Sequence, residues 1–173
     1  MLQLRSTSLA ATHAIAATLA AHVRVGDLVV LAGEMGTGKT AFAQGFGDAI
    51  GVTEPMTSPT FTLVHSHSVS RPVGGGPSKL TLHHADLYRL GTQHEVADLA
   101  LAELAEAEGI ILVEWGDVVA SIMGDHLLVR LDLVDGGDDA RDVSVSPVGR
   151  SWIGRWARIE AALASWADAQ RAG

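Results

Sequence analysis

The stretch that most restricts how this chain can fold is DLVVLAGEMGTGKTAFAQGFGDAI, residues 27–50. Its first part, DLVVLAG (27–33), is a compact apolar run bounded by turn residues, the pattern of a strand buried on both faces of a parallel sheet. Its last part, from Lys39 to Ile50, has the composition of a helix. A buried strand that feeds a helix through a short glycine-rich loop predicts an α/β fold. Its sheet has parallel core strands and helices on both faces.

The loop between them, Gly33-Glu34-Met35-Gly36-Thr37-Gly38-Lys39-Thr40, matches G-x-x-x-x-G-K-[ST] in full. Glycines let backbone N–H groups turn inward around a phosphate without Cβ clashes. The helix that follows offers its N-terminal N–H groups and positive dipole end to the same anion. In such a loop Lys39 reaches the β- and γ-phosphates, and the Thr40 hydroxyl ligates Mg²⁺. A structural glycine turn would need no Lys-Thr at its end, so the loop is expected to bind a nucleotide through residues 33–40 and Ala41.

The remaining segments fit a single domain over residues 1–173. Residues 2–5 read as a short strand, with Ser6 or Ser8 capping a helix over 9–22, whose Leu9, Ala16, Leu19 and Val23 fall near one face. TFTLVHSHS (60–68) and KLTLHHADL (79–87) predict an antiparallel hairpin across the loop insert 71–78. HEVADLALAELAEAE (94–108) reads as helix and GIILVEW (109–115) as the second apolar strand. HLLVRLDLV (126–134) and RDVSVSPV (141–148) predict a second hairpin across GGDD. The amphipathic tail 152–170 places Trp152, Trp156, Ile159, Leu163 and Trp166 on one helical face, which favours packing on the domain's own sheet over docking of a partner.

Charge narrows the function classes. With 20 acidic against 12 basic side chains, the chain carries a net charge of −8, which argues against its gripping a nucleic-acid backbone unaided. There is no cysteine, so thiolate metal sites are excluded, and a cytoplasmic location is expected. The Ala-rich start superficially resembles a targeting segment, but its interruptions by Thr12, His13 and Thr18 favour an ordinary core helix. No stretch approaches the length of a membrane span.

A phosphate loop that handles Mg²⁺ needs a carboxylate at the end of a neighbouring strand. Glu114, after GIILV, and Asp86, at the end of LTLHHAD, both qualify. One holds the metal and the other positions the attacking water; spacing leaves open which does which. TSPTFT (57–62) offers Thr57, Ser58 and Thr60 as contacts to a γ-phosphate or its water, with turn chemistry around Pro59 an equal reading. His65, His67, His83 and His84 lie on two adjacent strands, but lack Cys or carboxylate at ligand spacing, which disfavours zinc.

Among nucleotide-binding classes, a GTPase needs an Asn/Thr-Lys-x-Asp guanine reader, which is absent because the only lysines are Lys39 and Lys79. A small-molecule kinase, the alternative, closes a basic lid over the transferring phosphate, yet no Lys or Arg occurs between Arg89 and Arg130. An ATPase that drives a partner remains. At this point LAGEMGTGKTAFAQGF, SPTFTLVHSH, HADLYRL and LVEW, in this order and spacing, closely resemble the TsaE (formerly YjeE) family over about residues 4–150.

That resemblance implies a P-loop NTPase-like domain using ATP and Mg²⁺. It also implies a complex with the TsaB–TsaD pair that modifies adenosine 37 of tRNA with threonylcarbamoyl, tRNA being met only through the complex. By the resemblance, Thr40 and Glu114 are the metal ligands, Lys39 the phosphate lysine, Asp86 the acid required for hydrolysis, and Thr60 part of a switch-like segment. Trp115 follows the metal acid, and adenine contacts fall near Ser8 and Gly137. The chain departs from the family pattern at Glu34, where many members have Asp, at Gly116, where Pro is usual, and in the 71–78 insert. The tail after Arg150 lies largely outside the resemblance.

Overall fold

The computed structural model describes residues 1–59, 63–70, 80–88, 104, 109–115, 124–134 and 137–168. Its strands are β1 (Leu2–Ser6), β2 (Leu28–Ala32), β3 (Val64–Val69), β4 (Leu80–Asp86), β5 (Gly109–Glu114), β6 (His126–Val134) and β7 (Gly137–Val148). Its helices are α1 (Leu9–Ala20), α2 (Lys39–Ile50), a four-residue α3 (Arg150–Ile153) and α4 (Trp156–Asp168).

The strands form one mixed sheet in the order β1-β7-β6-β2-β5-β4-β3. The central strands β6, β2, β5 and β4 run parallel, and the hairpins β3–β4 and β6–β7, together with β1–β7, are antiparallel. Val29, Val30 and Leu31 of β2 and Ile110 to Val113 of β5 are essentially without exposure, as strands covered on both faces must be. The larger core joins Val29, Leu31, Leu82, Ile110 and Leu112 to α1, α2 and α4 on one face. On the other face Ala85, Leu87, Ile111 and Val113 pack with Leu104, which is helical. The rest of the expected helix 94–108 lies outside the described residues, as does the insert 71–78.

Local chemistry sets the start of α1. Ser8, one of the two expected caps, accepts a hydrogen bond from the Ala11 amide at 3.1 Å and so caps α1. The expected face of α1 is buried at Ala16, Leu19 and Val23 but not at Leu9, which is 59% exposed; Ile15 and Thr12 complete the buried face. Alanines give an Ala-rich helix little polar contrast, so its sequence marks its buried face only weakly. Helix α1 lies very close to α2, where a Cβ on Gly45 would stand 2.7 Å from the Cα of His13.

The late hairpin also differs from expectation. Its return strand starts at Gly137 rather than 141, so Asp138 and Asp139 belong to the strand. The pairing register of β6 and β7 shifts at Leu133/Val134, next to the turn. The tail is broken at Gly154–Arg155 rather than continuous. Arg155 makes a two-pronged pair with Asp27 at 2.6 and 2.7 Å, in the turn that precedes β2. Trp152, Ile159 and Leu163 are buried in the main core, with Trp156 and Trp166 packed against it, so the tail's apolar face is covered by its own domain.

Candidate functional site

The parallel register of β2, β5 and β4 sets the site at the C-terminal edge of the sheet, where ligands of open α/β sheets bind. Leu31 of β2 stands opposite Glu114 of β5, and Glu114 stands opposite Asp86 of β4. The glycine-rich loop leaves β2 at the same edge and turns into α2 at Lys39. Two carboxylates, a buried lysine and a helix N-terminus therefore meet at one end of the central strands.

The loop's shape depends on its glycines. Gly33, Gly36 and Gly38 have φ of +131°, +81° and +99°, backbone values that glycine adopts at no steric cost. Gly33 has a second constraint, since a Cβ there would collide with the Leu131 carbonyl of β6 and crowd the Thr37 hydroxyl. Thr37 braces the loop from inside: its hydroxyl donates to the Glu34 carbonyl at 2.9 Å, and its own carbonyl accepts Arg141 Nε at 3.0 Å. Arg141 escaped the sequence reading because it is far along the chain, on β7, and matches no motif.

Lys39 is only 4% exposed. Its Nζ donates to the Gly33 and Glu34 carbonyls at 2.8 and 2.7 Å, and stands 3.7 Å from the centre of the Trp115 ring. Trp115 itself has φ of +61°, a left-handed conformation that is uncommon for a bulky residue. Tyr88 packs on the indole with ring centres 4.9 Å apart.

The acids are held differently. The Thr40 hydroxyl donates to Glu114 Oε2 at 3.1 Å, while Glu114 Oε1 is 2.8 Å from His84 Nε2. Asp86 Oδ2 accepts from the Ser58 hydroxyl at 2.7 Å, and Oδ1 accepts from the Tyr88 amide at 2.9 Å. Both carboxylates are 2% exposed.

These groups line a cleft of about 360 Å³ formed by Met35, Gly36, Gly38, Lys39, Thr40, Ser58, Asp86, Tyr88, Glu114 and Trp115. Most of the expected site residues thus come together. Gly33, Glu34, Thr37 and Ala41 belong to the loop and the start of α2 but do not line the cleft. Neither does Ser8, whose hydroxyl is engaged in capping α1; Gly137 is the first residue of β7. Thr60 lies outside the described residues, as does Gly116. Ser58 lines the cleft as one of the hydroxyls of the TSPTFT segment, and Tyr88 enters it through its place two residues after Asp86.

The donor set suits a small hard cation. A hydroxyl and a carboxylate oxygen 3.1 Å apart are both oxygen ligands of the kind Mg²⁺ takes alongside phosphate. The histidine-rich strands do not gather a metal cluster among the described residues. His83 is engaged with the Ser66 hydroxyl at 2.8 Å and His84 with Glu114.

Fold and site together define a P-loop NTPase-like α/β protein. The family model described as "Threonylcarbamoyl adenosine biosynthesis protein TsaE" matches residues 6–143, and the chain belongs to the TsaE family. It is 40% identical over 138 residues to the tRNA threonylcarbamoyladenosine biosynthesis protein TsaE of Streptomyces coelicolor, a match that covers 78% of this chain and 88% of that one. The protein of the same name from Bacillus subtilis is 33% identical, with 82% of each chain covered. A crystal structure of Bacillus subtilis YdiB superposes with a TM-score of 0.72 at 28% identity, covering 92% of this chain and 93% of that one. No described helix is long and apolar enough to cross a membrane.

Proposed function

We propose that this chain binds and hydrolyses ATP with Mg²⁺ in support of threonylcarbamoyl modification of adenosine 37 in tRNA, acting on a TsaB–TsaD pair. The observation that carries the reading is the Thr40–Glu114 contact of 3.1 Å at the mouth of a complete glycine-rich phosphate loop. The names of the TsaE relatives supply the pathway.

In this reading the backbone amides of residues 33–40 and the N-terminus of α2 hold the β- and γ-phosphates. Lys39 exchanges the carbonyls of Gly33 and Glu34 for phosphate oxygens, a short movement that keeps its ammonium hydrogen-bonded. Thr40 and Glu114 hold Mg²⁺, which when bound offsets the charge that develops between β- and γ-phosphates. Asp86, oriented by the Ser58 hydroxyl and the Tyr88 amide, accepts a hydrogen bond from the attacking water and so aligns it. Met35, Tyr88 and Trp115 supply the apolar and aromatic surface of the cleft beside the phosphates. Because a net charge of −8 ill suits a phosphodiester backbone, the tRNA is handled by the partners.

Phosphate release by purified protein, alone and with TsaB and TsaD, tests this reading. Release is expected to be slow alone and to rise with the partners. Asp86→Asn is expected to lower the stimulated rate about 100-fold while nucleotide binding persists. Rapid release that ignores the partners, or transfer of labelled γ-phosphate to a small metabolite, would contradict it.

A further inference from the structure

Glu114 has two carboxylate oxygens, and they have different partners. Oε2 accepts from Thr40, while Oε1 faces His84 Nε2 at 2.8 Å. A carboxylate oxygen can only accept, so Nε2 carries the proton of this pair. His84 has no exposure and is not among the residues that line the cleft, whereas Glu114 does line it. Among the described residues, His84 therefore reaches what the cleft holds through Glu114.

The strand register builds this arrangement. His84 stands opposite Leu112 and Asp86 opposite Glu114, so His84 lies on the same face of the sheet as both acids, one step back from the edge. Along that face β4 reads Leu80, Leu82, His84, Asp86: two core residues, a buried imidazole, then the acid of the cleft. The ring's other nitrogen, Nδ1, is buried and has no hydrogen-bond partner among the described residues. An apolar side chain of similar size would avoid that unsatisfied nitrogen. The contact to Glu114 is the interaction that offsets it.

We propose that His84 is a positioning residue for Glu114. By holding Oε1 it fixes the carboxylate plane, whose terminal torsion is otherwise broad, and keeps Oε2 turned toward the Thr40 hydroxyl. Both oxygen ligands for a divalent cation then stay on the cleft side. The inference rests on the ATP–Mg²⁺ reading of the same cleft, and partners that orient a metal ligand in this way typically change metal affinity by about 10- to 100-fold.

The test reads binding rather than turnover. A fluorescent ATP analogue is held at fixed concentration, and Mg²⁺ is titrated against wild type, His84→Gln, His84→Asn and His84→Leu. Glutamine places an amide N–H near the position of Nε2, whereas asparagine places it near Nδ1, short of Oε1. His84→Gln is expected to keep its Mg²⁺ requirement within a few-fold of wild type. His84→Asn and His84→Leu are expected to raise it by about 10- to 100-fold. Affinity for the analogue in EDTA should be the same in all four, which a general loss of folding would not give. If His84→Leu fails to fold, the Gln–Asn comparison still decides. Equal Mg²⁺ requirement in the folded variants and wild type, or equal loss in Gln and Asn, overturns the role of His84 alone. Wild-type binding that ignores Mg²⁺ overturns the ATP–Mg²⁺ reading, and this inference with it.

Discussion

At Gly33 and Gly36 the same residue type serves two different needs. Both have positive φ, but a Cβ at Gly36 meets nothing within 4 Å, whereas one at Gly33 collides with the β6 backbone. Gly36→Ala is therefore expected to cost only the left-handed conformation, about 1 kcal/mol. Gly33→Ala adds a backbone clash and is expected to cost at least about 2 kcal/mol more. Urea unfolding of the two variants checks the ranking; equal losses would mean the loop relaxes away from Leu131. The glycines, Lys39 and Thr40 were legible in the sequence because their spacing is local. The partners of Lys39 are local too, but its contact with Trp115 joins residues far apart in the chain, and no spacing records it.

At the scale of elements, the strands that deliver Asp86 and Glu114 were legible as apolar runs ending in acids. Their different partners were not, since Ser58 and His84 reach them through sheet register and a loop. Thr40 pairs with Glu114 and Ser58 with Asp86, a difference in surroundings that spacing alone does not carry. The same limit applies to the tail. Its apolar face was readable from spacings, but its break at Arg155 was not, because the Asp27 partner is 128 residues away. Arg155 and Asp27 are 7% and 8% exposed, so removing one partner strands a buried charge. Asp27→Ala is expected to destabilise the protein by about 3–5 kcal/mol, measured by urea unfolding. A loss below about 1 kcal/mol would mean that the pair behaves as a solvent-exposed one.

Over the whole molecule, histidines link stability to pH. Burial lowers the pKa of His83, and that of His67 with help from the charge of His84 against the opposing pull of Glu54. His22 is lowered by burial and then by Arg155 and Arg158. In the unfolded chain these groups titrate near 6.5, so on acidification the unfolded state takes up protons first. Their contribution is fully present above that value and is lost as pH falls through the lower folded values. The urea midpoint is expected to fall between pH 7.5 and 5.5, and His67→Phe should flatten part of that slope; a midpoint that rises on acidification would contradict the assignment. The TsaE family match and the superposition on YdiB agree with the mixed sheet on the architecture. Titration of a fluorescent ATP analogue, with Mg²⁺, against wild type and Lys39→Ala decides whether the cleft binds ATP. Loss of one charge-assisted contact to phosphate is expected to weaken binding by about 10- to 100-fold. Equal affinity for the two proteins would contradict it.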